Sequence, residues 1–374
     1  MSEPFLPLID LQAQYRSLEA TLQEVVLQTL RDGRFVGGEV VRDFESAFAQ
    51  FCGTRHAVGC ANGTDAIELV LDAWGIGPGD EVLVPAMSWI STSEAVATRG
   101  AVPVFVDIDA RTHCIDPKRV AAHLTPRTKA IIAVHLYGHP ADLGALRHIA
   151  ETHALYLLED SAQAHGARWN NQTVGSVGHA ATFSFFPSKS LGAYGDAGAV
   201  VTDDAALADT VRAIANHGMS GVRHVHTLHG RNSRLDTLQA AILTVKLPHL
   251  AEWVARKNAL AARYHAQLHA LAPHHLQLPY TAPGAYHGYH LFVIQTDRRD
   301  ALSAYLSAQG IGNTVHYPTA LPLHACYADR ALRADDYPNA VELSQRALSI
   351  PLYAELSHAQ QDRVCAAIQR FFTA

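Results

Sequence analysis

The chain has 374 residues, 48% hydrophobic and 17% charged, with a formal net charge of −6. That length exceeds what one hydrophobic core supports, so two domains are expected, and the net acidity argues against a nucleic-acid backbone as main partner, which needs a concentrated basic surface. With no apolar run of about 18 residues, no charged-then-apolar leader after Met1-Ser2-Glu3-Pro4 and five scattered cysteines outside any C-x-x-C pair, the expectation is a cytoplasmic protein with no membrane partner, disulfide framework or zinc knuckle.

In chain order, residues 11–31 carry apolar positions at helical spacing (Tyr15, Leu18, Leu22, Val25, Val26, Leu30), and Asp32-Gly33 ends that helix. A turn at Phe35-Val36-Gly37-Gly38 leads to a second helix over 40–51 with Phe44, Phe48 and Phe51 on one face. The pattern then changes to short apolar strands, at 81–84, 102–107, 130–134, 155–160, 182–186 and 199–202, interleaved with helices from Asp65 and over about 141–152. Apolar strands alternating with helices predict an α/β fold: a mostly parallel sheet of the seven-stranded type with helices on both faces. A long helical stretch from about 235 to 271, broken near Pro248, connects to a smaller C-terminal α+β domain. That domain carries strands at 291–295 and near 312–317 and helices around 299–309 and 358–372, which divides the chain into 1–245 and 246–374.

Ligands of such sheets bind at the carboxyl ends of the strands, where the candidate chemical residues fall. Lys189 lies in Thr182-Phe183-Ser184-Phe185-Phe186-Pro187-Ser188-Lys189, an apolar and hydroxyl neighbourhood in a chain whose positive charge is mostly arginine. A desolvated lysine has a neutral amine that attacks carbonyls; alone, the residue is as compatible with a snorkelling side chain or an ion pair to Asp196. Asn62-Gly63-Thr64-Asp65-Ala66 opens a helix and suits a phosphate, or is a plain cap made by Thr64 or Asp65. Asp160 ends a strand where a carboxylate needs a cationic partner such as a protonated ring nitrogen, with an N-cap role equally open, and Gln163 has an amide for a phenolate oxygen. Ser184 can share the phosphate with Thr64, and Trp89 offers either a stacking face or simple core. The histidines at 217, 224, 226 and 229 lack a helical i, i+4 pair with a carboxylate, so a solvated loop is expected there and no metal. Cradle, stacking face, carboxylate and lysine are together the four contacts of pyridoxal 5'-phosphate (PLP).

On these stretches, with Asn232-Ser233-Arg234-Leu235-Asp236 and Val315-His316-Tyr317-Pro318, the sequence resembles the DegT/DnrJ/EryC1/StrS nucleotide-sugar aminotransferases of PLP fold type I. The resemblance implies that Lys189 bonds the cofactor, Asp160 contacts its ring nitrogen and Gln163 its ring oxygen. Gly63, Thr64, Asp65 and Ser184 would hold the phosphate, with pyridoxamine 5'-phosphate as the alternate cofactor form and Trp89 stacked on the ring. It implies a homodimer in which Asn232 reaches the partner's phosphate, and places Arg234, His316 and Tyr317 near the sugar. The expected reaction is amino transfer from L-glutamate, leaving 2-oxoglutarate, to a nucleotide-linked keto sugar. Gly195-Asp196-Ala197-Gly198 leans toward carbon 3, and the run around Lys189 toward a UDP-3-keto-glucuronic acid derivative, with a dTDP-3-keto-6-deoxyhexose close behind. Amination at carbon 4, sugar dehydration and a non-catalytic regulatory role are the alternatives.

Overall fold

Side-chain alternation along the strands decides the architecture, because successive residues of a strand face opposite sides of its sheet. In the computed structural model, which describes residues 4–272 and 274–373, Val82 and Val84 pack into one buried cluster while Leu83 packs into another. Ile132 and Ile131 divide in the same way, as do Leu158 and Leu157. Both faces are therefore covered, as a parallel sheet requires.

The sheet has seven strands: β1 (His56–Cys60), β2 (Glu81–Pro85), β3 (Val102–Val106), β4 (Thr128–Val134), β5 (Tyr156–Asp160), β6 (Ala180–Ser184) and β7 (Gly198–Thr202), in the order β1-β7-β6-β5-β4-β2-β3. Only β7 runs against its neighbours. Helices α1 (Leu11–Asp32), α2 (Glu39–Cys52), α3 (Gly63–Ala73) and α4 (Ser91–Thr98) precede the middle of the sheet. On α2, Phe44 and Phe48 stack 5.7 Å apart and meet Phe183 and Phe185 edge-on, which fixes this helix beneath β6.

Beyond Thr237–Lys246, helix Leu250–Leu268 leads to an antiparallel pair, Phe292–Gln295 with Ala347–Ile350, and to helices at Arg299–Ala308 and His358–Thr373. These share a core of their own around Tyr264, Phe292, Leu302, Leu306 and Ile368. Leu6 joins that core and bridges to Ile311, so the first described residues pack with the C-terminal elements. The strand expected near 312–317 is not formed. Asn313 bonds locally to Ser303 and to the Ile311 carbonyl, and only Thr314 bridges, to Ser349, because a side-chain amide competes with ladder formation. Among the described residues no helix is long and apolar enough to cross a membrane.

Candidate active site

Four segments meet past the carboxyl ends of β2, β4, β5 and β6. The first is the N-terminus of α3. Its N-cap is Asn62, whose Oδ1 accepts from Asp65 N–H at 2.8 Å, so neither Thr64 nor Asp65 is the capping residue. Thr64 Oγ1 instead donates to Ser91 Oγ at 2.7 Å. The helix end presses against β6 and β7: a Cβ on Gly63 would lie 2.7 Å from Ser184 Cβ, and one on Gly198 would lie 2.4 Å from the Asn62 carbonyl oxygen. This close approach requires glycine and brings the N–H groups of the first turn, with the positive end of the helix dipole, beside the Ser184 hydroxyl.

Asp160 closes β5 and is buried, whereas its neighbour Glu159 points to the opposite face and accepts from Gly175, Val177 and Gly178 N–H and from His135 Nε2. One residue is structural anchor and the next belongs to the site, a direct result of strand alternation. Thr92 Oγ1 donates to Asp160 Oδ2 at 2.9 Å and Ala162 N–H to Oδ1 at 3.2 Å. Burial nevertheless raises the carboxyl above its ordinary range, with the Thr92 and Ala162 bonds and the Lys189 charge opposing. Among the described residues Asp160 has no ion pair within contact distance, so the carboxylate suits a cationic ring nitrogen.

Lys189 follows β6 in a tight turn held by its own N–H to the Phe186 carbonyl at 2.8 Å. Desolvation lowers its amine to about 8, against the pull of Asp160. Gln163 is held by Tyr137 N–H donating to its Oε1 at 2.7 Å, and its Nε2 donates to the Tyr317 hydroxyl at 2.9 Å. Tyr137 adopts φ 59°, a strained conformation for a bulky residue, and its hydroxyl donates to the His316 carbonyl. His316 also shares a 2.7 Å hydrogen bond with Ser349 Oγ, and burial and then the Lys189 charge push its imidazole down to about 4. Trp89 is not core: it is 55% exposed, with its ring 5.6 Å from that of Tyr317.

The geometry thus joins Lys189, Asp160, Gln163, Trp89, Ser184, Gly63, Thr64, Asp65, His316 and Tyr317. It does not bring Asn232 and Arg234 to them within one chain. Asn232 is exposed and bridges to Asn216, and Arg234 donates to the Asn216 side chain in a separate cavity of about 620 Å3 beside Gly37, Gly38 and Arg42. The ion pair with Asp196, one alternative for Lys189, is absent among the described residues. His217, His224, His226 and His229 lie on an exposed loop, and no metal-binding group is found among the described residues. Sequence reasoning missed Thr92, Tyr137 and the buried His290, and gave no role to the buried His165 of the Asp160 stretch; both imidazoles are lowered first by burial and next by the Lys189 charge. No spacing marked them, because each reaches the site from a different loop or helix.

An amine held near neutrality, a buried acid, a flat indole face and a glycine-lined helix terminus fit PLP, and this fold and site are those of a PLP-dependent aminotransferase of fold type I. The chain belongs to the DegT/DnrJ/EryC1/StrS aminotransferase family, whose model matches residues 16–369. It is 43% identical to the dTDP-3-amino-3,4,6-trideoxy-alpha-D-glucose transaminase of Streptomyces venezuelae over 98% of this chain and 96% of that one. Identity to the UDP-2-acetamido-2-deoxy-3-oxo-D-glucuronate aminotransferase of Pseudomonas aeruginosa is 39%, over 96% and 98% of the two chains. The crystal structure of S. venezuelae DesV in complex with a ketimine intermediate superimposes with a TM-score of 0.96 at 42% identity, over 99% of both chains.

Proposed function

We propose that this enzyme transfers an amino group from L-glutamate to carbon 3 of a nucleotide-linked keto sugar. The observation that carries the reading is the convergence of Lys189 and Asp160 on one side of a helix terminus built for a phosphate, with names of near relatives supporting carbon 3. When bound, the cofactor supplies an electron sink for the carbanion formed at the donor's α-carbon.

In this reading the Lys189 amine, lowered toward neutrality, takes the proton from the donor's α-carbon and returns one to the cofactor's C4' position. Asp160, oriented by Thr92, keeps the ring nitrogen protonated. Ser184, Thr64, Asp65 and the Gly63 N–H side of α3 would hold the phosphate, Trp89 would cover the ring, and Gln163, whose Nε2 donates to the Tyr317 hydroxyl, would be the amide for the ring oxygen. Asn232 and Arg234, whose bridge and hydrogen bond within one chain go to Asn216, act across a homodimer, Asn232 at the partner's phosphate and Arg234 at the sugar with His316 and Tyr317. Exposed Phe35 and Val36, on the segment next to Arg234, support that pairing. The division into domains near 245/246 rests on the C-terminal core around Tyr264 and Phe292, with residues 4–9 packed onto it, while Ala320, Leu321, Tyr327 and Leu343 pack into the core of the large sheet, and a cytoplasmic site of action suits five free cysteines.

Between substrates, the UDP-3-keto-glucuronic acid derivative gives Arg234 a carboxylate to bind, and a dTDP-3-keto-6-deoxyhexose does not. The test is a reverse assay with 2-oxoglutarate and a panel of UDP- and dTDP-linked 3-amino sugars, read by product mass, with light scattering for the dimer. Turnover of the uronic acid is the expected result. Turnover of dTDP-deoxysugars alone overturns that choice, and silence on the whole panel overturns the sugar reading.

A further inference from the structure

The segment bearing Lys189 is held from outside by few side chains, and two of them are buried lysines. Lys257, 5% exposed on helix Leu250–Leu268, donates from Nζ to Ser190 Oγ at 2.8 Å. Lys246, fully buried, donates to the Gly192 carbonyl at 2.7 Å and lies 4.0 Å over the Tyr194 ring. Gln239 Oε1 accepts from Tyr194 N–H at 2.8 Å. The turn has no slack of its own, since a Cβ on Gly192 would meet the Pro187 carbonyl oxygen at 2.3 Å.

An aliphatic side chain would pack in either lysine's place without the cost of burying an amine, so these amines call for a role beyond packing. Lys257 is the better placed. It borders a cavity of about 40 Å3 that also touches Lys189, Ser190, His290, Asp10, Tyr353 and Glu355, so this amine and Lys189 face one small polar space. Among the charged groups around it, Glu355 of the C-terminal part is the one that favours its ammonium form, while burial lowers it to about 7. The buried Tyr353 hydroxyl has no hydrogen-bond partner among the described residues, and the volume admits water.

We propose that Lys257 is a positioning residue: its hydrogen bond to Ser190 fixes the backbone from which Lys189 projects and ties that position to the docking of the segment 352–355. It acts through Ser190 and touches neither substrate nor cofactor. The inference rests on Lys189 as the residue that bonds PLP.

The test strips the protein of cofactor and adds PLP back. Covalent attachment is followed by visible absorbance and, after borohydride reduction, by the mass of the Lys189 peptide, with thermal midpoints recorded in parallel. Ser190→Ala and Lys257→Met are each expected to slow attachment about tenfold, with Ser190→Thr at the unsubstituted rate. The double variant should be no slower than either single one, because both remove the same bond. Ser190→Ala attaching PLP at the unsubstituted rate overturns the proposal, and so does a Lys257→Met that loses only thermal stability. If Lys257→Met does not fold, the Ser190 pair still decides. Failure of the unsubstituted protein to attach PLP at Lys189 would instead overturn the cofactor contact on which the role depends.

Discussion

Replacing Gly63 with alanine probes the proposed seat of the phosphate through a contact that the structure specifies in detail. The added Cβ would lie 2.7 Å from Ser184 Cβ, 3.3 Å from its Cα and 3.4 Å from its Oγ. Two of these atoms belong to backbone or to the root of a side chain, so no rotamer change relieves the clash and α3 must move away from β6. Overpacking of this kind costs about 1–3 kcal/mol, and the helix-propensity gain of alanine returns at most about 1 kcal/mol. The expected net loss is about 1–2 kcal/mol in the cofactor-free protein, read as a fall of a few degrees in the thermal midpoint. The larger effect is on binding. Displacing the helix lengthens every N–H contact to the phosphate at once, and a loss of about 1.4 kcal/mol is about tenfold in PLP affinity, measured by absorbance titration. Gly77→Ala is the control, since its Cβ meets only the Arg99 carbonyl oxygen, at an ordinary 3.5 Å, and neither quantity should fall. If Gly63→Ala binds PLP as tightly as the unsubstituted protein, α3 is not the phosphate seat and the close-packing argument fails.

Asp160→Asn keeps shape and removes charge. It should retain PLP yet slow the half-reaction with glutamate roughly hundredfold in stopped-flow absorbance, and an unchanged rate would remove Asp160 from catalysis. Thr92→Val deletes the donor to Asp160 Oδ2, worth about 1–2 kcal/mol to the carboxylate, so the carboxyl rises further and the acidic limb of the pH–rate profile moves to higher pH; superimposable limbs would refute this. Burial first, and then repulsion from the His139 charge, holds His113 at about 4, and burial holds His139 at about 4. Both stay neutral in the fold while the unfolded chain takes up protons below about 6.5, so their stabilisation is complete above that pH and is lost as pH falls toward 4. The loss is on the order of 3 kcal/mol for each, and a denaturant midpoint that does not change between pH 7 and pH 5 would contradict it.

What could be read in advance, and what could not, divides along physical lines. Strands such as Val82-Leu83-Val84 and Ile131-Ile132 are legible because burial on both faces demands continuous apolar runs, and Lys189 and Asp160 are legible because charge in such runs is costly. β1, His56-Ala57-Val58-Gly59-Cys60, carries no such signal: it is built from small residues, and Gly59 stands where a Cβ would lie 2.8 Å from Leu235 Cβ. A tertiary contact chose that residue, which no local propensity records. The same holds for Ala347–Ile350, whose pairing with Phe292–Gln295 spans two helices, Arg299–Ala308 and Pro338–Arg346, and the long irregular segment between them. At the site, the residues that bear charge stand out, and those that orient them do not. Thr92 acts on Asp160 from 68 positions away, and although Gln163 and Tyr317 are each named from their own stretches, the bond that joins them across 154 positions is not legible there. Asn232 and Arg234 are the extreme of this series. Their stretch resembles one that serves the cofactor and the sugar, yet in one chain Asn232 is exposed and Arg234 lines a different cavity, and the proposed homodimer is what would bring them to the site. A dilution series that lowers PLP affinity as the dimer dissociates, with Asn232→Ala lowering it without dissociation, is the observation this synthesis requires.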